Sequence, residues 1–290
     1  MHVQNSYQKS EKGVLYIVPT PIGNLDDMTF RAIDTLKQVD TILAEDTRHT
    51  QKLLQHFKFS NTLLSFHEHN KEGRVLQIME NLKEGQNFAL VSDAGMPAIS
   101  DPGYDLVRAS IEADVSVIVL PGATAAICAL VGSGLPTDEF LFYGFLPRKN
   151  QEKKREVERL SGYQATVILY ESPFRVKDTV QLISKYVESR TIVIAREMTK
   201  IYEQYVRGTC EEIIAWLDKH PLKGECCILI EGIDEEVSDS GKQWWHELTL
   251  VEHVKHYETT KEMSNKMAMK QVAKDRNISK RTVYQAVHIQ

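Results

Sequence analysis

Four short clusters carry the residue types that can do chemistry. PTPIGN (19–24), SDAGMPAISDPG (92–103) and PGATAA (121–126) each follow a hydrophobic run, and AEDTRHT (44–50) gathers Glu45, Asp46, Arg48 and His49 at the end of another. Gly, Ala and Pro let backbone N–H groups come close to a ligand, and in open α/β sheets ligands bind beyond the carboxyl ends of the strands. The three small-residue loops therefore predict a site for a nucleoside-sized ligand. The second loop says most, because twelve residues of turn chemistry exceed what a strand-to-helix connection needs. Asp93 at its start suits an amino group or a ribose hydroxyl, while Ala94, Gly95 and Ser100 leave room. Gly122, Ala123 and Thr124 fall at a helix N-terminus, where an anion is favoured. Pro21, Gly23 and Asn24 taken alone read as a turn. The acidic-basic cluster offers a proton acceptor with a phosphate contact, or else a helix cap at Asp46 or Thr47 with Arg48 paired to a neighbouring acid.

Other chemistries lack their parts. The chain has neither GxGxxG nor GxxxxGK[ST], so hydride-transfer and P-loop readings have no phosphate cradle. Cys128, Cys210, Cys226 and Cys227 show no CxxC spacing, so no metal site is expected, and all four read as reduced thiols packed as small hydrophobes. Cys226 and Cys227 are adjacent and would face opposite sides of a strand. His67 and His69 read as surface residues on a loop. The polar N-terminus and the lack of a long uncharged apolar run predict a cytoplasmic protein with no membrane partner.

The elements that must position these loops follow from hydrophobic period. Apolar runs at 14–18, 41–44, 62–66, 88–91 and 115–120 read as strands separated by helical patterns, which predicts a largely parallel sheet with helices on both faces. Asp101 followed by Pro102 predicts a helix start. Beyond 134 the runs at 140–145, 165–170, 191–195, 204–207 and 226–230 predict a second α/β domain with more mixed strand directions. The expected organisation is a flexible N-terminus (1–13), a first α/β domain (14–134), a second (135–232), an acidic linker (233–242) and a helical module (243–290).

Charge is unevenly spread. Residues 261–290 carry seven Lys or Arg against two Asp or Glu, a local net of +5 that leaves −10 elsewhere in a chain of net −5. Lys270, Lys274, Lys280, Arg281 and Tyr284 lie in a pattern of helix, short turn and Ser-capped helix, which reads as a helix-turn-helix or as a small bundle without nucleic acid. The stretch 148–159, with Arg148, Lys149, Lys153, Lys154 and Arg155, reads as a phosphate-gripping rim or a solvated helix.

Taken together, VPTPIGNLDDMTFRA, AEDTRHT, SDAGMPAISDPG, LPGATAA, FYGFLPRK, YESPFR, REMTKIYE and KGE resemble the tetrapyrrole-methylase superfamily over about 14–230, most of all its ribosomal RNA branch. The resemblance implies two α/β domains with S-adenosylmethionine in the cleft between them, a homodimer, and 2′-O-methylation of a cytidine ribose in the 16S rRNA of the small ribosomal subunit. Carried over by position, it implies cofactor contacts at Pro21, Gly23, Asp93, Ala94, Gly95, Ser100, Gly122, Ala123, Thr124 and Tyr170. The GxGxG-like first loop of many relatives stands here as PTPIGN. Asp46 and Glu225 become the candidates for base or hydroxyl-orienting group, Arg48 for a phosphate contact, and the basic rim and tail for RNA. Two other readings stay open: methylation of a small tetrapyrrole, and a cofactor-sensing nucleic-acid binder without catalysis.

Overall fold

The computed structural model describes residues 3–6, 10–68, 70–187, 189–233, 245, 248–261, 263–276 and 278–288. His69 and most of the expected linker, 234–242, lie outside the described residues. The chain divides into two units, Met1–Gly232 and Ile233–Gln290.

Within the first unit the expected parallel sheet forms from β1 (Val14–Ile17), β2 (Thr41–Ala44), β3 (Leu63–Ser65), β4 (Phe88–Leu90) and β5 (Ser116–Val119). Their order is β3-β2-β4-β1-β5, all parallel. The connecting helices are α1 (Phe30–Gln38), α2 (Thr47–His56), α3 (Lys71–Lys83) and α4 (Tyr104–Glu112), and α5 (Ala125–Ser133) follows β5. Alternation in the strands fills both faces. Phe88 and Leu90 of β4 pack with Ile78, Leu82 and Leu106, whereas Ala89 and Val91 pack with Leu36 and Leu54. Each fully buried Leu or Ile of this kind contributes about 1.5–3 kcal/mol. At the N-terminal end, the Gln4 side-chain amide donates to Val117 O on edge strand β5, and its Oε1 accepts Val117 N–H, each at 2.9 Å.

The second sheet is mixed, as expected. It contains β6 (Phe140–Phe145), β7 (Thr166–Glu171), β8 (Ile192–Arg196), β9 (Gln204–Gly208) and β10 (Cys226–Ile230), in the order β6-β7-β10-β8-β9. Of these strand pairs, β6 and β7 run parallel and the rest antiparallel. One face is covered by α6 (Asn150–Ser161), α7 (Val176–Ile183) and α8 (Cys210–Leu217). The other is covered by α5, through Ala126, Ala129 and Leu130. Cys226 packs on the first face and Cys227 on the second, the opposition expected for adjacent strand residues. Cys128 departs from expectation: it is exposed on α5 rather than packed.

Antiparallel pairing has one consequence for function. Because β10 runs against β7 and β8, Cys226 pairs with both Glu171 and Arg196, so the chain enters β10 beside the ends of its two neighbours. Residues 170–175, 196–200 and 223–225 therefore share one edge.

The expected helix start at Asp101 is corrected. Ala98 and Ser100 sit in the left-handed region, φ 64° and 61°, and Gly103 at φ 147° breaks the helical path after Pro102, so α4 starts at Tyr104 with Gly103 as its N-cap. Asp101 stays outside the helix and faces the cleft described below.

In the second unit α9 (Leu250–Thr260), α10 (Asn265–Asp275) and α11 (Lys280–His288) surround Val254, Ala268, Val272 and Val283. Ser279 Oγ accepts Thr282 N–H at 3.1 Å, the cap expected for the third helix. His253 is fully buried and stacked between Trp245 and Tyr257, with Arg276 Nε donating to its Nδ1 at 3.2 Å. Burial and the Arg276 charge lower its pKa against the opposing pull of Asp275.

Candidate functional site

All strands of the first sheet run the same way, so the loops after β1, β2, β4 and β5 emerge at one edge. The first two small-residue loops are stitched together there: Thr20 N–H donates to Gly95 O and Gly95 N–H to Thr20 O, each at 3.0 Å. Thr20 Oγ1 and Ser92 Oγ add donations to Ser92 O and Gly95 O at 3.0 and 3.1 Å. The third loop ends at Thr124, where Ala126 N–H on α5 donates to the Tyr170 hydroxyl at 3.2 Å. Tyr170 thus joins the two sheets, held on its other sides by edge contacts from Phe142 and Phe145.

Between the two edges lies a cleft of about 420 Å³. Six residues expected to bind a cofactor line it: Asp93, Ala94, Gly95, Ser100, Thr124 and Tyr170. Pro21 and Gly23 line a second, adjoining cavity instead. Gly122 and Ala123 lie on neither wall; a side chain at Gly122 would strike the Pro19 ring at 2.7 Å, so that glycine serves loop packing. The sequence reading missed Met198, Phe145, Glu171 and Asp101 as wall residues. YESPFR and REMTK carried the signal for Glu171 and Met198, since each motif spans the end of a strand.

The cleft is apolar with acid at one side. Burial pushes the Asp101 carboxyl up to about 6, and the neighbouring charges of Glu45 and Asp93 add to it. Burial likewise raises Glu45, with Asp93 reinforcing and His67 opposing. Asp93 and Asp101 on the wall, with the charge of exposed Glu45 near them, favour a cationic ligand, because a positive charge relieves their mutual repulsion.

A second acid arrangement supports the opposite wall. Glu171 is almost wholly buried and accepts Ser172 N–H at 2.9 Å and Thr179 Oγ1–H at 2.8 Å, with Arg175 Nε 3.3 Å away. Lys153 Nζ donates to Thr179 Oγ1 at 2.7 Å. This corrects the expectation that Lys153 grips RNA: it is 7% exposed, on the inner face of α6, and burial lowers its pKa. Arg148, Lys149, Lys154 and Arg155 are all exposed.

The two candidate bases differ. Asp46 lines neither cavity; it caps α2 by accepting Arg48 N–H at 2.9 Å and holds the Arg48 guanidinium through contacts of 3.0 and 2.7 Å. Those hydrogen bonds hold its carboxyl well below the usual carboxylate range, which makes it a poor proton acceptor. Glu225 lines both cavities, and Lys200 Nζ lies 2.8 Å from its Oε2 and 2.9 Å from Glu197 Oε1. Gly224 makes this possible: φ is +82°, and a side chain there would meet Glu197 Oε1 at 2.0 Å.

With this geometry in view, comparison with known proteins is decisive. Tetrapyrrole (corrin/porphyrin) methylases as a family match residues 14–214. The chain belongs to that family. Methylases of this family use S-adenosylmethionine. The cleft suits it: apolar walls for a nucleoside, and carboxylates for a cation. Two solved methylases share the fold: cobalt precorrin-4 methyltransferase of cobalamin biosynthesis (TM-score 0.57, 20% identity) and the methyltransferase CobJ (TM-score 0.58, 16% identity). The first covers 75% of this chain and 94% of its own, the second 76% and 94%. Ribosomal RNA small subunit methyltransferase I from Bacillus subtilis (strain 168) is 50% identical over 97% of this chain and 96% of its own length. The protein of that name from Synechocystis sp. is 44% identical over 94% and 96%.

Linkage at Asp101 gives a pH signature. Its carboxyl is raised in the folded protein above the usual value of 3.8, so the folded state binds the extra proton and loses stability as pH rises from about 4 through 6. Asp101→Asn, which keeps the neutral shape, raises the melting temperature most at pH 8 and much less near pH 4. An equal shift at both pH values contradicts the raised carboxyl.

Proposed function

We propose that this chain transfers the methyl group of S-adenosylmethionine to the ribose 2′-oxygen of a cytidine in 16S rRNA. The observation that carries this reading is the extent of the likeness. The family match stops at residue 214 and the two solved tetrapyrrole methylases cover about three quarters of the chain, whereas the ribosomal RNA relative from Bacillus subtilis matches 97% of it. The helical tail is thus shared with relatives named for ribosomal RNA. Its basic residues Lys270, Lys274, Lys280 and Arg281 are exposed, as phosphate contacts require.

Asp93, Asp101 and Tyr170, with the small residues 94–95, would hold the cofactor between the two α/β domains, 14–134 and 135–232. The cofactor supplies an electrophilic methyl group on a sulfonium, which needs no further activation. The cleft's own part is alignment, for which near-attack positioning contributes about 7–11 kcal/mol, against a rate factor of roughly 10² to 10⁴ from a positioned base. Glu225 is the proton acceptor in this reading: with the cofactor bound, attack of the 2′-oxygen on the methyl carbon would leave the C–S electron pair on sulfur, and the Glu225 carboxylate would take the hydroxyl proton. Single-stranded or splayed RNA presents that hydroxyl.

Labelled S-adenosylmethionine offered with small ribosomal subunits or with porphyrinogens separates the readings. Label on a cytidine 2′-oxygen is expected; label on porphyrinogen supports the tetrapyrrole reading, and RNA binding without label supports the non-catalytic one. Reversing Lys270, Lys274, Lys280 and Arg281 to Glu weakens RNA binding and flattens its salt dependence by about 0.7 in log slope per lost single-strand phosphate contact. Affinity for S-adenosylhomocysteine stays unchanged; loss of both affinities together would assign the tail a structural role.

The homodimer also belongs to this proposal. AAICALVGS, α5, is apolar on every side, yet Ile127, Cys128 and Val131 are exposed, Val131 at 72%. A helix apolar all round is ordinarily covered, and a second copy is the occupant we assign. Val131→Asp should convert the dimer to a monomer in sedimentation velocity; an unchanged sedimentation coefficient removes α5 from the interface.

A further inference from the structure

Beside the cofactor cleft lies a second cavity of about 280 Å³, and the two share Ile22, Asp93, Ala94 and Glu225. We infer that this second cavity is the acceptor pocket, which takes the target nucleotide out of its stack and reads its base; the inference rests on the function proposed above. In a reaction between two substrates, the group in transfer must cross where their sites meet. Asp93 and Glu225 stand on that seam.

Size limits the occupant. Pockets for drug-sized ligands run from roughly 300 to 1,000 Å³, so a cavity just under that range suits one nucleoside better than a macrocycle. The walls suit a flat base: Ile22 and Leu25 from the first loop and Leu53 from α2 are apolar, and His49 stands beside them in the first turn of α2.

Charge selects among bases. Asp93 is oriented by Asp46 N–H, which donates to its Oδ1 at 3.3 Å. Glu225 is oriented by Lys200, and its own N–H donates to Glu197 Oε1 at 3.1 Å. Among the described residues Lys200 is the one lysine on the pocket wall, and it pairs with two carboxylates at once. Its stem lies across the first loop, where a side chain at Gly23 would meet Lys200 Cγ at 2.4 Å, so glycine lets the lysine reach Glu225. The seam therefore presents hydrogen-bond acceptors with excess negative charge. With Glu225 facing the 2′-hydroxyl, Asp93 is left to favour a base edge bearing an exocyclic amino group, and carboxylates accept from the N4 amino group of cytosine. Uracil offers a carbonyl at the same place and is repelled. Lys200 is a positioning residue in this account: it acts by holding Glu225 on the seam.

The test fills the pocket without touching the cofactor cleft. Leu25 and His49 line only the second cavity, so Leu25→Trp, with His49→Trp as an independent second variant, should cut methyl transfer to small ribosomal subunits by at least about a hundredfold, the scale of a misplaced substrate. S-adenosylhomocysteine affinity should stay within about twofold. Unchanged transfer overturns the assignment, and so does a parallel loss of cofactor affinity, which would make the cavity part of the cofactor site. Subunits carrying uridine at the mapped target should be methylated far more slowly by the unmodified protein; equal rates contradict the amino-group reading. Lys200→Met should lower kcat with little change in KM and alter the acid limb of the pH profile, while Lys200→Arg restores both; an unrestored Arg variant or an unmoved profile removes the positioning role. Absence of any methyl transfer to rRNA by the unmodified protein is a separate result, which defeats the proposed function before any variant is compared.

Discussion

Two backbone hydrogen bonds between Thr20 and Gly95, each 3.0 Å, hold the loops after β1 and β4 in contact, and the cleft depends on that closeness. Strand order places them at the turning point of the sheet: β1 lies between β4 and β5, while the chain leaves β1 for β2 on the far side of β4. Such a switch point opens a crevice that neighbouring loops alone do not fill. Gly95 meets the requirement with φ +81°, and a side chain there would press on Ile22 at 3.1 Å and on Ala123 O at 3.4 Å. Ala98 and Ser100, also left-handed, cost about 1–3 kcal/mol each and persist because the surrounding loop fixes them.

The second constraint is the way the two sheets meet. Helix α5 follows the first sheet in sequence but packs on the second, and Ile22 from the first loop enters the same core. Apolar burial, rather than a flexible tether, therefore joins the edge that carries residues 92–101 to the edge that carries 170–173 and 224–227. Tyr170 completes the joint with its hydrogen bond to the start of α5, and burial pushes its hydroxyl up to about 12, so it stays protonated at any working pH. Rigid support of this kind is what alignment catalysis needs, since the chemistry asks for little beyond correct placement.

Much of the fold was legible because period and loop chemistry agreed. The five runs of the first domain became five parallel strands, and the twelve-residue second loop proved to be the main wall of the cleft. What escaped was set by tertiary geometry. Strand direction in the second domain leaves no trace in hydrophobic period, so the meeting of 170–175, 196–200 and 223–225 was hidden although each motif was visible. Lys153 sits among charged neighbours and reads as solvated, yet its position on α6 turns it inward to Thr179. Asp101 followed by Pro102 has the chemistry of a helix start, and the non-helical backbone at Gly103, φ 147°, overrides it. Asp46 admits two readings in sequence, and the cap with its Arg48 partner is the one the geometry contains.

The stitched loops are proposed to form the cofactor cleft, and a side chain at residue 95 would strain them against Ile22 and Ala123. Calorimetric titration with S-adenosylhomocysteine, comparing the unmodified protein with Gly95→Ala at matched folded fraction, tests it most directly. Saturable binding of one ligand per chain is expected, weakened at least about tenfold by the added methyl group, or ~1.4 kcal/mol. Absence of heat from the unmodified protein, or equal affinity in the two, would contradict it.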